Sequence, residues 1–151
     1  MKDVTQFKDG YTITTDKDLM VVSDVHRWLS EDAYWSKGIP LEVVKTAFDH
    51  SFCVGVIYDA RQVGFARLVT DYSSFAYLAD VYVEEAHRGK GLSTAMLDML
   101  LGMPWVKGLR RMMLSTIHAH RLYEKYGFKV CRYPERLMEV LHGPEMYLSG
   151  T

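Results

Sequence analysis

Only two cysteines, Cys53 and Cys131, stand in 151 residues. No Cys-x-x-Cys spacing appears, so neither a zinc site nor a disulfide framework is expected. Each cysteine lies in an apolar run that reads as a strand, which fits a reduced, cytoplasmic setting. Charge of one sign is also missing: 18 Lys and Arg face 19 Asp and Glu, a formal net charge of −1. No global positive field exists to attract nucleic acid or anionic lipid. No stretch approaches the roughly 18 consecutive apolar residues that span a bilayer. The start, Met1-Lys2-Asp3-Val4, lacks the apolar segment of a signal peptide, so none is expected. No repeat, linker or low-complexity stretch interrupts the chain.

Apolar residues are plentiful at 48%, enough for residues 1–151 to bury the core of one domain. Tyr11 to Thr15 reads as a short strand. Leu19, Val22, Val25 and Leu29 fall at helical spacing, which predicts a helix from Asp18 to Leu29. An aromatic connector follows from Ser30 to Pro40, and Pro40 opens a second helix to about His50. Phe52–Tyr58, Gln62–Thr70 and Phe75–Val83 read as strands rich in Val, Tyr and Phe. A glycine-bearing loop, Glu84 to Gly91, leads into a helix over Leu92–Leu101. Beyond it are a strand at Arg110–Thr116, a helix at His118–Tyr126 ended by Gly127, and two closing strands at Phe128–Arg132 and Leu137–Leu141. The order predicts an α/β (α+β) fold: one mixed, mostly antiparallel sheet with helices on both faces.

The chemistry concentrates in Val81-Tyr82-Val83-Glu84-Glu85-Ala86-His87-Arg88-Gly89-Lys90-Gly91-Leu92-Ser93. A strand ends, a loop turns and a helix begins. The first amides of a helix have no intrahelical acceptor, and they sit at the positive end of its dipole. A pyrophosphate can take several of them at once. Gly89 and Gly91 let the backbone approach it closely. A tight turn that binds nothing has the same local sequence. A Walker loop is excluded because Leu92 follows Gly91, and the dinucleotide fingerprint fails because Thr94 stands where its third glycine belongs.

Arg88, Gly91 and Ser93 resemble the Gln/Arg-x-x-Gly-x-Gly/Ala signature of GCN5-related N-acetyltransferases (GNAT), with serine at the last small position. Ala119-His120-Arg121-Leu122-Tyr123-Glu124-Lys125-Tyr126-Gly127-Phe128 is similar to their second signature, Ala-x-x-Leu-Tyr-x-x-x-Gly-Phe. The likeness covers residues 10–142. Leu29-Ser30, Tyr34-Trp35, Gly64-Phe65-Ala66-Arg67 and Thr70-Asp71 also resemble a bacterial subgroup with small-molecule acceptors.

The resemblance implies acetyl-CoA as donor. It implies phosphate contacts from Arg88, Gly89, Lys90, Gly91, Leu92 and Ser93, pantetheine contacts from Val81, Tyr82 and Val83, and further cofactor contacts at Ala119, Tyr123 and Lys125. The Val83 amide would stabilise the developing oxyanion, and Tyr123 would protonate the departing thiolate. The acceptor side is expected among Trp28, Ser30, Tyr34, Trp35, Arg67, Thr70 and Asp71, the same residues that would otherwise form a packed aromatic cluster and a turn. Tyr77 occupies the position where some relatives carry a glutamate base. Asp80 is expected on the opposite face from Val81 and Val83. Glu84, Glu85, His118, His120 or a water chain are left as candidates. The expected activity is acetyl transfer to a small-molecule primary amine in a ternary complex, without metal, membrane or nucleic acid and with a homodimer open. A non-catalytic acyl-CoA sensor and a protein N-acetyltransferase are the alternatives.

Overall fold

The structure is a computed structural model that describes residues 1–148. Strands form where β-branched and aromatic residues lie between tight turns. They are β1 (Thr5–Lys8), β2 (Tyr11–Thr14), β3 (Phe52–Tyr58), β4 (Arg61–Thr70), β5 (Phe75–Val83) and β6 (Arg111–Met113). The β1–β2 turn places Asp9 and Gly10 at φ +50° and +83°, and the β3–β4 turn places Asp59 and Ala60 at +49° and +61°. Two consecutive positive φ angles match the right-handed twist of the flanking strands. The sheet order follows the chain, with every neighbouring pair antiparallel except β5 and β6, which run parallel.

Alternating side chains fill the two faces of the sheet. Val54, Val56, Leu68, Leu78 and Val83 pack against Met96, Leu97 and Leu100 of α3 (Leu92–Leu101). Cys53 and Phe65 face the other way, onto Val25 of α1 (Val22–Arg27), Val44 and Phe48 of α2 (Leu41–Asp49), and Trp28. Two short helices complete the chain, α4 (Pro104–Lys107) and α5 (His120–Glu124).

One irregularity shapes the site. Phe65 pairs with Tyr82, but Arg67 pairs with Ala79, so two steps along β4 oppose three along β5. The extra residue bulges β5. Asp80, at φ +56°, lies within it. Parallel pairing with β6 is confined to Phe75, Ala76 and Tyr77. Past the bulge, among the described residues, β5 has no strand on that side.

Three expectations are corrected. The helix predicted over Asp18–Leu29 is broken. Asp16 caps a 3₁₀ turn at Lys17–Leu19, Met20 and Val21 are extended, and α1 runs on into a π turn at Trp28–Asp32. The break is held by the buried Gln62 side chain, which accepts from the Val21 N–H at 3.0 Å and donates to its carbonyl at 3.1 Å. Phe128–Arg132 and Leu137–Leu141 are not strands. Their β propensity has no ladder to join, because β6 is only three residues long. A strand at Thr5–Lys8, not expected from the sequence, opens the sheet.

Candidate functional site

Ladder geometry decides which amides of β5 are free. The Glu84 N–H donates to the Val63 carbonyl at 2.8 Å, so 63 and 84 form a hydrogen-bonded pair. In an antiparallel ladder the next residue then turns its N–H and C=O away from the partner strand. Val83 therefore points its polar groups into the gap beside β5, while Val81 lies in the bulge next to that gap. The Val83 carbonyl confirms the direction, since it accepts from Arg88 Nε at 2.8 Å rather than from β4.

The loop beyond supplies more unused donors. Gly91 caps α3 in the left-handed region at φ +77°, with no side-chain cap. The first intrahelical bond runs from the Ala95 N–H to the Gly91 carbonyl. The amides from Gly89 to Thr94 consequently have no acceptor among the described residues. Gly89 is at φ +76° with open space where a Cβ would lie. A Cβ on Gly91 would lie 3.0 Å from Lys8 Nζ, so the β1 strand brings an extra cation to this loop. Donors, a helix dipole and a nearby ammonium fit an anion.

Strand and loop meet in a cavity of about 320 Å³. The connector before α2 contributes Asp32, Ala33 and Trp35, β5 contributes Val81, Tyr82 and Val83, and the loop contributes Arg88 and Ser93. Tyr82 is central. Its ring stacks on buried Trp28 at 5.0 Å, lies 5.5 Å beneath the Arg88 guanidinium, and its hydroxyl donates to Asp32 Oδ2 at 2.7 Å. Burial and this carboxylate push the Tyr82 phenol up to about 12.

Asp80 accepts from Arg67 Nε at 2.6 Å and from Trp35 Nε1 at 3.1 Å. It thus points with Arg67 to the face opposite Val81 and Val83, as the sequence leads one to expect. Arg67 also donates to Ser51 Oγ at 2.9 Å. Its charge and two of its donors are committed inside the protein.

Tyr123 is nearly buried and packs in the α3-side core with Val83 and Leu92. It opens onto a larger groove of about 830 Å³ running along β6 and α5, with His120 on the same wall. Its ring meets Phe128 edge-on at 6.1 Å. Burial raises the phenol, which has no hydrogen-bond partner among the described residues. Ala119 caps α5, with its N–H on Thr116 Oγ1 at 3.0 Å, and Lys125 is exposed at the helix end. Lys90 is exposed on the loop.

The remaining acceptor-side residues divide. Tyr34 is exposed and sits edge-on to Trp35, while Ser30 bonds within its own turn. Thr70 and Asp71 do not line the cavity. Thr70 Oγ1 donates to the Phe75 carbonyl, and Asp71 accepts from the amides of Ser73, Ser74 and Phe75 and from the Ser74 hydroxyl. These bonds hold the Asp71 carboxyl well below its usual range and build the β4–β5 turn. Glu84 faces Arg61 at 3.9 Å. Sequence reasoning missed Asp32. Its only signal was its place in the aromatic connector.

Cys53 is buried, and desolvation pushes its thiol up to about 12. It carries no thiolate near neutral pH, so it cannot serve as a nucleophile. No group of three His, Cys, Asp or Glu among the described residues is arranged for a metal, and none of their helices is long and apolar enough to cross a membrane.

Known proteins share this architecture. A crystal structure of a GNAT-family protein from Xanthomonas campestris pv. campestris superposes with a TM-score of 0.86 at 46% identity, over 89% of this chain and 94% of that one. A Gibberella zeae protein named as an acetyltransferase is 32% identical over 81% of each chain. The spermine/spermidine N(1)-acetyltransferase of Bacillus subtilis is 30% identical over 76% of this chain and 84% of its own. The model of the acetyltransferase (GNAT) family matches residues 22–128, which hold both the free Val83 amide and the glycine loop. The chain therefore belongs to the GNAT family of acetyltransferases.

Proposed function

We propose that this protein transfers an acetyl group from acetyl-CoA to the primary amine of a small molecule, in one step within a ternary complex. The observation that carries the reading is the row of unused donors at one end of the sheet. It takes in Val83 and the Gly89–Thr94 amides and ends beside Lys8. Such a row matches an amide-bearing arm that ends in phosphates. When bound, acetyl-CoA supplies an activated acyl carbon and a thiolate leaving group.

The chain's own groups do the rest. Val83 N–H is fixed by the strand and aimed into the gap, where it donates to the oxygen that gains charge as the amine attacks. One such donor is worth about 3 kcal/mol. Arg88, tied to the Val83 carbonyl, braces the next peptide unit and so the orientation of Val83. Tyr123 gives its proton to sulfur as the C–S bond breaks and regains one from solvent. Its raised pKa keeps it protonated at neutral pH. The proton lost from the amine leaves to water. The aromatic wall of Trp35 and Tyr82 beside the donor row favours a small acceptor over a polypeptide. The relation to an enzyme named for spermine and spermidine supports an amine metabolite.

The test is thermal unfolding across an acetyl-CoA series. A ligand specific for the folded state stabilises by about 2.7 kcal/mol at a hundredfold excess over Kd. Wild type should show a clear rise in midpoint, and Gly91→Val should lose it. No rise at millimolar acetyl-CoA would overturn the donor assignment.

A further inference from the structure

Asp32, at the solvent-exposed rim of the cavity beside Val81–Val83, is a carboxylate with capacity to spare. Asp32 Oδ2 accepts from the Tyr82 hydroxyl at 2.7 Å, while Oδ1 has no partner among the described residues. The carboxylate is nonetheless held in place. Tyr82 is clamped between the buried Trp28 ring and the Arg88 guanidinium, so its hydroxyl is a stationary tether. Other charged side chains near the cavity are already engaged. Both oxygens of Asp80 are taken, by Arg67 and Trp35, and Arg88 spends Nε on Val83 and lies over the Tyr82 ring.

We propose that Asp32 is a specificity-determining residue that receives an ammonium group of the acceptor, and that the enzyme therefore selects small aliphatic di- and polyamines over amino acids. The inference rests on the acetyl-CoA-dependent reading above and adds the acceptor's charge to it. An ammonium at Oδ1 gains a charge-assisted hydrogen bond. The Trp35 indole on the same wall adds a face for cation–π contact. An acceptor with a carboxylate beside its amine would bring that anion against Asp32. Of the two arginines described around this cavity, Arg67 is paired with Asp80 at 2.6 Å, and Arg88 is turned onto the Val83 carbonyl and the Tyr82 ring.

Initial rates of thiol release from acetyl-CoA test this with 1,4-diaminobutane, 1-aminobutane and alanine as acceptors. Wild type should favour the diamine. Asp32→Asn should raise the diamine KM about tenfold or more, as loss of a charged hydrogen bond does, with kcat and the acetyl-CoA KM close to wild type. Asp32→Glu should recover part of the affinity. An Asp32→Asn enzyme equal to wild type with the diamine, or a wild type that prefers alanine, would overturn the proposal. A wild type that binds acetyl-CoA but acetylates only alanine would sink this inference alone. A wild type that binds no acetyl-CoA would remove the reading beneath it.

Discussion

Tyr123 and Tyr82 show how two phenols in one fold serve different ends. Tyr82 is tethered to a carboxylate at 2.7 Å and stacked on Trp28, which makes it a strut. Tyr123 is buried with no partner for its hydroxyl among the described residues, which leaves that proton available for transfer. Tyr123→Phe should therefore cut kcat by about 100-fold, within the range for a lost general acid. Affinity for acetyl-CoA, read by calorimetry, should change little. An unchanged kcat would transfer the acid role to another group or to solvent. Because burial raises the phenol, loss of activity from its ionisation belongs above its ordinary value near 10, outside the neutral range.

Among the elements, the β4–β5 hairpin is the clearest case of a residue read for chemistry and used for folding. Asp71 organises three backbone amides and one hydroxyl at the turn. Its folded pKa is depressed, so its stabilisation is fully present above the unfolded value near 4 and is lost as pH falls below that value. Asp71→Ala should lower the unfolding midpoint at pH 7, and the gap to wild type should narrow as the buffer is acidified below about pH 4. A constant gap would assign the effect to turn propensity instead of charge.

The same hairpin shows what a sequence discloses. Strands Phe52–Tyr58 and Phe75–Val83 and helix Leu92–Leu101 are written in local propensity, and they appear at the expected residues. The glycine loop was legible because its constraint is local too: positive φ at Gly89 and Gly91 admits few other residues. The β1 strand carries a local signal too, since Asp9-Gly10 is a hairpin-turn pair, but Thr5–Lys8 itself has little apolar alternation. The broken first helix had none. It depends on Gln62, far along the chain, bonding to Val21. Asp32 was hidden for the same reason, since its partner Tyr82 lies 50 residues away.

For the whole molecule, the cavity wall that carries Trp35 is braced from two distant parts of the chain. Trp35 is tied to Asp80 in the bulge, and the turn at Tyr34–Ser36 rests against a 3₁₀ turn at Pro144–Tyr147. Gly38, at φ +81°, closes this contact: a Cβ there would lie 2.6 Å from Leu148 Cδ2. Gly38→Ala should cost about 1–2 kcal/mol from the left-handed backbone alone. It should also raise the acceptor KM more than the acetyl-CoA KM in steady-state kinetics. Equal effects on both substrates would mean that the contact only stabilises the fold.

That contact has a practical side. Truncations or fusions made near Leu148 act, through Gly38, on the loop that carries Trp35. Kinetic constants measured on differently tagged preparations should therefore disagree first in their acceptor terms. A comparison of amine preference is best made on protein in which the turn at Pro144–Tyr147 is unaltered.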